Sequence, residues 1–166
     1  MNTAFYTTQT GPTGDGRVFF KVRESKAFFV KGRGKESRTA SHGQFTLYLD
    51  IIALQQTLYI PTTLASGKKP TGFVYQIEGT APGQISTTEV SCKGDGISQV
   101  TMGTLLYTKI PQGKTASFRI YADIVGSLNK TYKVVINRIN YKLDPSDARY
   151  KKFDVSIASK PLTFKD

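Results

Sequence analysis

One cysteine and one histidine occur in the chain, Cys92 and His42. Any thiol nucleophile and its base would have to be this pair, because the thiolate attacks and a neighbour must take its proton. The surrounding residues point elsewhere. Glu89-Val-Ser-Cys92 reads as a strand in which the cysteine is a small apolar residue, and His42 as a loop residue beside Gly43. With a single Cys and a single His, carboxylates would have to supply most ligands of a zinc site, which structural zinc sites rarely allow. Asp144-Pro-Ser-Asp147 lacks the alternating oxygen ligands of a calcium loop and reads as a polar turn opened by Asp144. No cluster supplies a nucleophile, a base and an oxyanion site together. The expectation is a non-enzymatic chain with no catalytic residues, no metal and no cofactor.

Binding chemistry has more to work with. Around Phe28-Phe-Val-Lys-Gly-Arg-Gly-Lys-Glu-Ser-Arg-Thr-Ala-Ser-His-Gly43, basic residues follow an aromatic pair. Gly32-Arg-Gly34-Lys35 has one residue between its glycines, where a phosphate loop needs four and then a helix. A polyanion reading fits better. Arg17, Lys21, Arg23, Lys26, Lys31, Arg33, Lys35 and Arg38 are interrupted only by Glu24 and Glu36, and Phe19, Phe20, Phe28 and Phe29 interleave with them. That mixture suits phosphate neutralisation with base stacking. Against it, a Phe-Phe pair in a strand sends one ring to each face, which favours a basic ribbon that simply stays in water. Tyrosines offer a second surface, through Tyr48, Tyr59, Tyr75, Tyr107, Tyr121, Tyr132 and Tyr141. Tyr48 and Tyr121 fall on the polar phase of their segments, where an exposed ring can stack on a sugar or dock a partner.

The elements that must position these residues are strands. In Phe45-Thr-Leu-Tyr-Leu-Asp-Ile51 the apolar residues alternate with mostly polar ones, and Ser117–Ile124 and Lys152–Ile157 repeat the pattern. Such alternation half-buries a pleated strand. Further strands are expected at 17–22, 26–31, 57–60, 73–78, 87–92, 97–101, 105–110, 131–141 and 161–164. Turn chemistry lies between them at Gly14-Asp-Gly16, Ser66–Pro70, Ala81-Pro-Gly83, Lys93-Gly-Asp-Gly96 and Pro111-Gln-Gly113. No segment carries a helical apolar stripe. These features predict an all-β, antiparallel sandwich of Ig-like or jelly-roll type. Residues 1–166 are expected to form one domain, with 1–16 an approach segment or short first strand and 31–43 a basic loop. In 131–141 the apolar phase changes: Tyr132, Val134 and Ile136 share one parity, while Val135, Ile139 and Tyr141 share the other. Either a bulge near Asn137 shifts it or the strand is central and covered on both faces, and the second is preferred.

The 166 residues suffice for a real core, and one cysteine leaves that core without an internal disulfide. No apolar run reaches the about 18 residues of a membrane span, and no charged leader with an apolar segment follows Met1. A formal charge of +11 favours acidic partners: nucleic acid, anionic lipid or an acidic cell-wall polymer.

Phe45-Thr-Leu-Tyr-Leu-Asp-Ile-Ile-Ala-Leu-Gln-Gln-Thr-Leu-Tyr-Ile-Pro61, Ile110-Pro-Gln-Gly-Lys-Thr-Ala-Ser-Phe-Arg-Ile120, Tyr132-Lys-Val-Val-Ile-Asn-Arg-Ile-Asn-Tyr141 and Pro161-Leu-Thr-Phe164 carry a resemblance. Over residues 43–166 the chain resembles the β-sandwich modules of large surface proteins from candidate-phyla-radiation (Patescibacteria-type) bacteria. The resemblance implies an Ig-like module of a longer, exported chain, located at the cell surface, and brings no catalytic residues. The leading expectation is a surface or appendage module for display, adhesion or self-assembly, engaging protein partners or itself through strand edges, tyrosines and basic contacts. The alternatives are a virion coat or decoration protein whose basic segment faces nucleic acid, and a carbohydrate-binding module using the exposed tyrosines.

Overall fold

The computed structural model describes residues 11–12, 18–32, 41–65 and 71–165. Within them the secondary structure is all strand, as the alternation predicts. In chain order the strands are β1 (Gly11–Pro12), β2 (Val18–Val30), β3 (His42–Ala53), β4 (Leu58–Pro61), β5 (Leu64–Ala65), β6 (Phe73–Gly79) and β7 (Gln84–Lys93). β8 (Ser98–Met102), β9 (Leu105–Ile110), β10 (Thr115–Val125), β11 (Thr131–Tyr141), β12 (Lys151–Ala158) and β13 (Leu162–Thr163) follow.

Two sheets form the sandwich. One has five strands in the order β1-β2-β3-β10-β7; the other runs β12-β11-β6-β5, with β13 continuing beside β11. A smaller β4-β9-β8 sheet joins the second through a bridge between Tyr59 and Lys142. Pairing is antiparallel except where the two residues of β5 run parallel to the start of β6. Period two decides which side is buried: Phe45, Leu47, Leu49 and Ile51 of β3 and Phe118, Ile120, Ala122 and Ile124 of β10 all point inward. They meet Phe73, Tyr132, Val134, Ile136, Ile139 and Ile157 of the opposite sheet in one core. Ring pairs cross between the layers, Phe73 edge-on to Phe118 at 5.1 Å and Phe29 against Phe164 at 5.1 Å.

Two bulges set the phase of the long strands. β2 is one strand where the sequence suggested two, and its register with β3 slips between Val22 and Glu24. Arg23 is the extra residue, so Phe20 faces the core before it and Ala27 and Phe29 face the core after it. In β11 the register slips between Ile136 and Arg138 against both neighbours. The preferred reading of a strand covered on both faces is therefore corrected. β11 is central, but a bulge at Asn137 lets Ile136 and Ile139 both enter the same core.

Val30 pairs with His42, so the basic stretch of the sequence joins the two arms of a β2–β3 hairpin. The predicted 31–43 loop is shorter than expected, because β3 already begins at His42. Arg17, Arg33, Lys35 and Arg38 lie outside the described residues, as do the predicted turns at 14–16 and 66–70. At the described turns, Gly96 and Gly113 hold positive φ (77° and 79°), which glycine adopts without cost.

Candidate functional site

The outward face of the five-stranded sheet gathers the candidates that the sequence could only name singly. β3 and β10 pair over eleven positions, Arg119 opposite Tyr48 and Tyr121 opposite Thr46. Tyr48 and Tyr121 thus sit on adjacent strands, one diagonal step apart, both half-buried and both on the solvent side. Each ring has cations against it. Arg23 lies 5.9 Å and Lys26 5.6 Å from the Tyr48 centroid, and Arg119 lies 5.4 Å from that of Tyr121. Both distances and geometry suit cation–π attraction, which braces the rings against the sheet.

Carboxylates fill the gaps. Asp50 accepts from Arg23 Nε at 2.9 Å and from Ser117 Oγ at 2.7 Å. Glu89 of β7 approaches Arg119 at 4.0 Å, and Glu24 approaches Lys26 at 3.6 Å. At the far end His42 Nδ1 donates to Asp123 Oδ1 at 2.7 Å. The Tyr121 phenol also donates to Asp123; burial first, then the Asp123 charge, raises its pKa above the ordinary tyrosine value. His42 is thus a strand residue with a carboxylate partner, where the sequence suggested a loop residue. Between Arg23, Tyr48, Ser91, Lys93, Ser117 and Arg119 the face dips into a shallow depression of about 590 Å³.

The bulge at Arg23 builds part of this site. Across it the inward parity passes from Val22 to Ser25, so Arg23 and Glu24 both stand on the solvent side. From there the Arg23 side chain reaches both Asp50 and Tyr48. Of the polyanion candidates, Lys21, Arg23 and Lys26 belong to this face, whereas Lys31 stands just beyond β2 at the hairpin. Tyr107, Tyr132 and Tyr141 are buried, so they are removed from the list of surface tyrosines.

Cys92 and His42 do not meet. Cys92 is opposite Phe118 and His42 opposite Val125 on the same strand β10. Seven residues separate those positions, roughly 23 Å of strand. Cys92 also has the inward parity of Phe118, half-buried at the core margin. Burial pushes its thiol up to about 11, only partly offset by a hydrogen bond with Thr108. Asp144 closes its own turn, accepting from Ser146 N at 2.9 Å and Ser146 Oγ at 2.7 Å, and these bonds hold its pKa below the usual value.

A second polar cluster is structural. Lys142, only 8 % exposed, lies over the rings of Tyr150 (4.6 Å) and Tyr107 (5.7 Å), whose hydroxyls meet at 2.8 Å. Burial and then Tyr107 push the Tyr150 phenol above its ordinary range. The cluster sits where the Tyr59–Lys142 bridge fastens the small sheet to β11. Among the described residues no group of three or more His, Cys, Asp and Glu is placed to hold a metal ion.

No protein-family model matches the sequence, and no curated protein matches it.

Proposed function

We propose that the chain is a non-enzymatic module of a cell surface or appendage, working in display and adhesion, and that it grips a neutral sugar chain across the outward face of its five-stranded sheet. One observation carries the reading: Tyr48 and Tyr121 lie one diagonal step apart on the solvent side of the sheet, Tyr48 braced by Arg23 and Lys26, Tyr121 by Arg119, and both set among carboxylates. Rings held this way offer an apolar platform to a sugar, while Asp50, Glu89, Arg23, Arg119 and the serine hydroxyls accept from and donate to its hydroxyl groups. The resemblance to bacterial surface modules supports the setting.

The balance of charge argues for sugar over nucleic acid on this face. Lys21, Arg23, Lys26, Lys93 and Arg119 stand among Glu24, Asp50, Glu89 and Asp123, so the +11 of the whole chain is not concentrated here. Phosphate contacts need an excess of cations, and carboxylates interspersed at this density repel a phosphate backbone. Immobilised neutral hexasaccharides of glucan, chitin and mannan type should retain the native chain. Tyr48→Ala/Tyr121→Ala should weaken retention roughly tenfold or more, since tyrosines covered by a ligand contribute about 1 kcal/mol or more each. Equal retention of native and variant chains would remove the face from the reading.

The overall charge supports a second reading, a virion protein whose basic segment faces nucleic acid. Replacing Lys31, Arg33, Lys35 and Arg38 by Ser separates the two. On the sugar reading, glycan retention is unchanged. On the virion reading, single-stranded DNA binds tightly at physiological salt, and the variant loses that binding along with about three log units of salt slope.

A further inference from the structure

The sheet that carries this face ends in strands of different character. Among the described residues β2 has no strand beside it from Lys21 to Val30 other than β3, and that stretch carries Lys21, Arg23 and Lys26 and a bulge. In the opposite sheet the edge strand β12 pairs only with β11 among the described residues and opens with Lys151-Lys152. Lysines and bulges on an exposed edge discourage another strand from joining it. β7 is protected only at its start. Its ten residues, Gln-Ile-Ser-Thr-Thr-Glu-Val-Ser-Cys-Lys, pair with β10 on one flank and with no described strand on the other. One bulge displaces Ser86, and from Thr87 to Lys93 the strand is regular, free of proline and rich in Thr, Ser and Val.

The geometry points to β7 as the seam between two copies of this chain, joined antiparallel about a dyad at Val90. The sequence of the regular stretch selects that register. Turned on itself about Val90, Thr87 faces the partner's Lys93, Thr88 faces the partner's Cys92, and Glu89 faces the partner's Ser91. Val90 meets its own counterpart on the core side of the sheet, where Val90 and Cys92 are already half-buried. No like charges stand directly opposite each other; on the diagonals Glu89 has the partner's Lys93 to one side and the partner's Glu89 to the other. The two five-stranded sheets would then run on as one, with both tyrosine faces on its outward side. This deepens the reading above by naming a partner, but it stands on the strand edge alone: sugar retention without dimers, or dimers without sugar retention, tells the two apart.

Thr88→Cys tests the register. Within one chain positions 88 and 92 are four residues apart on a strand, roughly 13 Å, too far for a disulfide that needs Cα atoms within about 7 Å. Across the seam they are directly opposite, about 5 Å apart. Mild oxidation should therefore convert the Thr88→Cys chain into a covalent dimer on a non-reducing gel. The native chain and Thr88→Cys/Cys92→Ser should stay monomeric on the same gel. A monomeric Thr88→Cys chain, or equal dimer in the double variant, overturns the register. Charge at Ser91, on the solvent side, gives a second measurement by sedimentation equilibrium. Ser91→Lys, placed opposite Glu89, should tighten the dimer and Ser91→Glu weaken it, each by roughly two- to thirtyfold for two symmetric pairs. The same dissociation constant in both would overturn the seam.

Discussion

Burial at the core margin keeps Cys92 in the thiol form, its pKa pushed up to about 11. A disulfide-forming reagent should thus label the native protein slowly at pH 8, and the rate should climb toward pH 11 instead of levelling near 9. The linkage has a definite sign. An unfolded thiol ionises near 9.0 and the folded one near 11, so the folded state holds its proton longer. This contribution is present in full below 9 and is lost as the pH rises through 11. Cys92→Ala should remove that alkaline decline at a stability cost of about 1 kcal/mol and leave sugar retention alone. Rapid labelling at pH 8 would contradict the buried placement. At this scale the sequence showed the kind of each residue and its parity: Cys92 inward, Tyr48 and Tyr121 outward. It did not show that His42 meets Asp123, because 81 positions separate them and only the β3–β10 register brings them together. Arg23's place beneath Tyr48 was equally hidden, since it depends on a bulge that no residue type at that point demands.

Elements close on one another around side chains that leave no spare room. Phe164, fully buried just past β13, lies 4.7 Å from the Tyr132 ring and 5.1 Å from that of Phe29. Gly43 and Gly126 make space for it: a Cβ on either would come within 2.6 Å and 2.8 Å of the Phe164 ring. Phe164→Ala should cost about 3–5 kcal/mol in chemical denaturation, in the range of a large aromatic removed from a core. Gly72 is tighter still, since a Cβ there would stand 1.9 Å from the Pro61 carbonyl oxygen. Backbone cannot step aside as a side-chain tip can, so Gly72→Ala should destabilise by about 2 kcal/mol or more, measured by the same transition. A loss below half a kcal/mol at either site would show that the packing relaxes. Strand positions were legible because alternation is local, and most predicted segments are strands. Strand boundaries at bulges were not. The β11 phase change could be solved by a bulge or by double coverage, and only the neighbours' registers decide between them.

The whole molecule is a sandwich without helix among its described residues, and its far-UV circular dichroism should show a β spectrum with less than about a fifth helix. The sandwich class was legible from the spacing of strands and turns. Strand order was not, because β3 takes β2 from the next hairpin but β10 from far along the chain. Asp50 and Ser117, hydrogen-bonded across that pairing, are 67 positions apart, and Lys160 N donates to Ser25 Oγ over 135. Contacts of such separation make folding slow, since loop entropy is lost before the contacts reward it. Phe164 gives this a direction in time during synthesis. The β2–β3 hairpin can pair as soon as both arms leave the ribosome, and β10 can then dock beside it. The corner between Phe29, Gly43, Gly126 and Tyr132 must still wait for a ring delivered more than thirty residues after Tyr132. Until it arrives, one end of the layered core stands open to water, and a nascent chain halted before that ring should remain a target for chaperones and proteases.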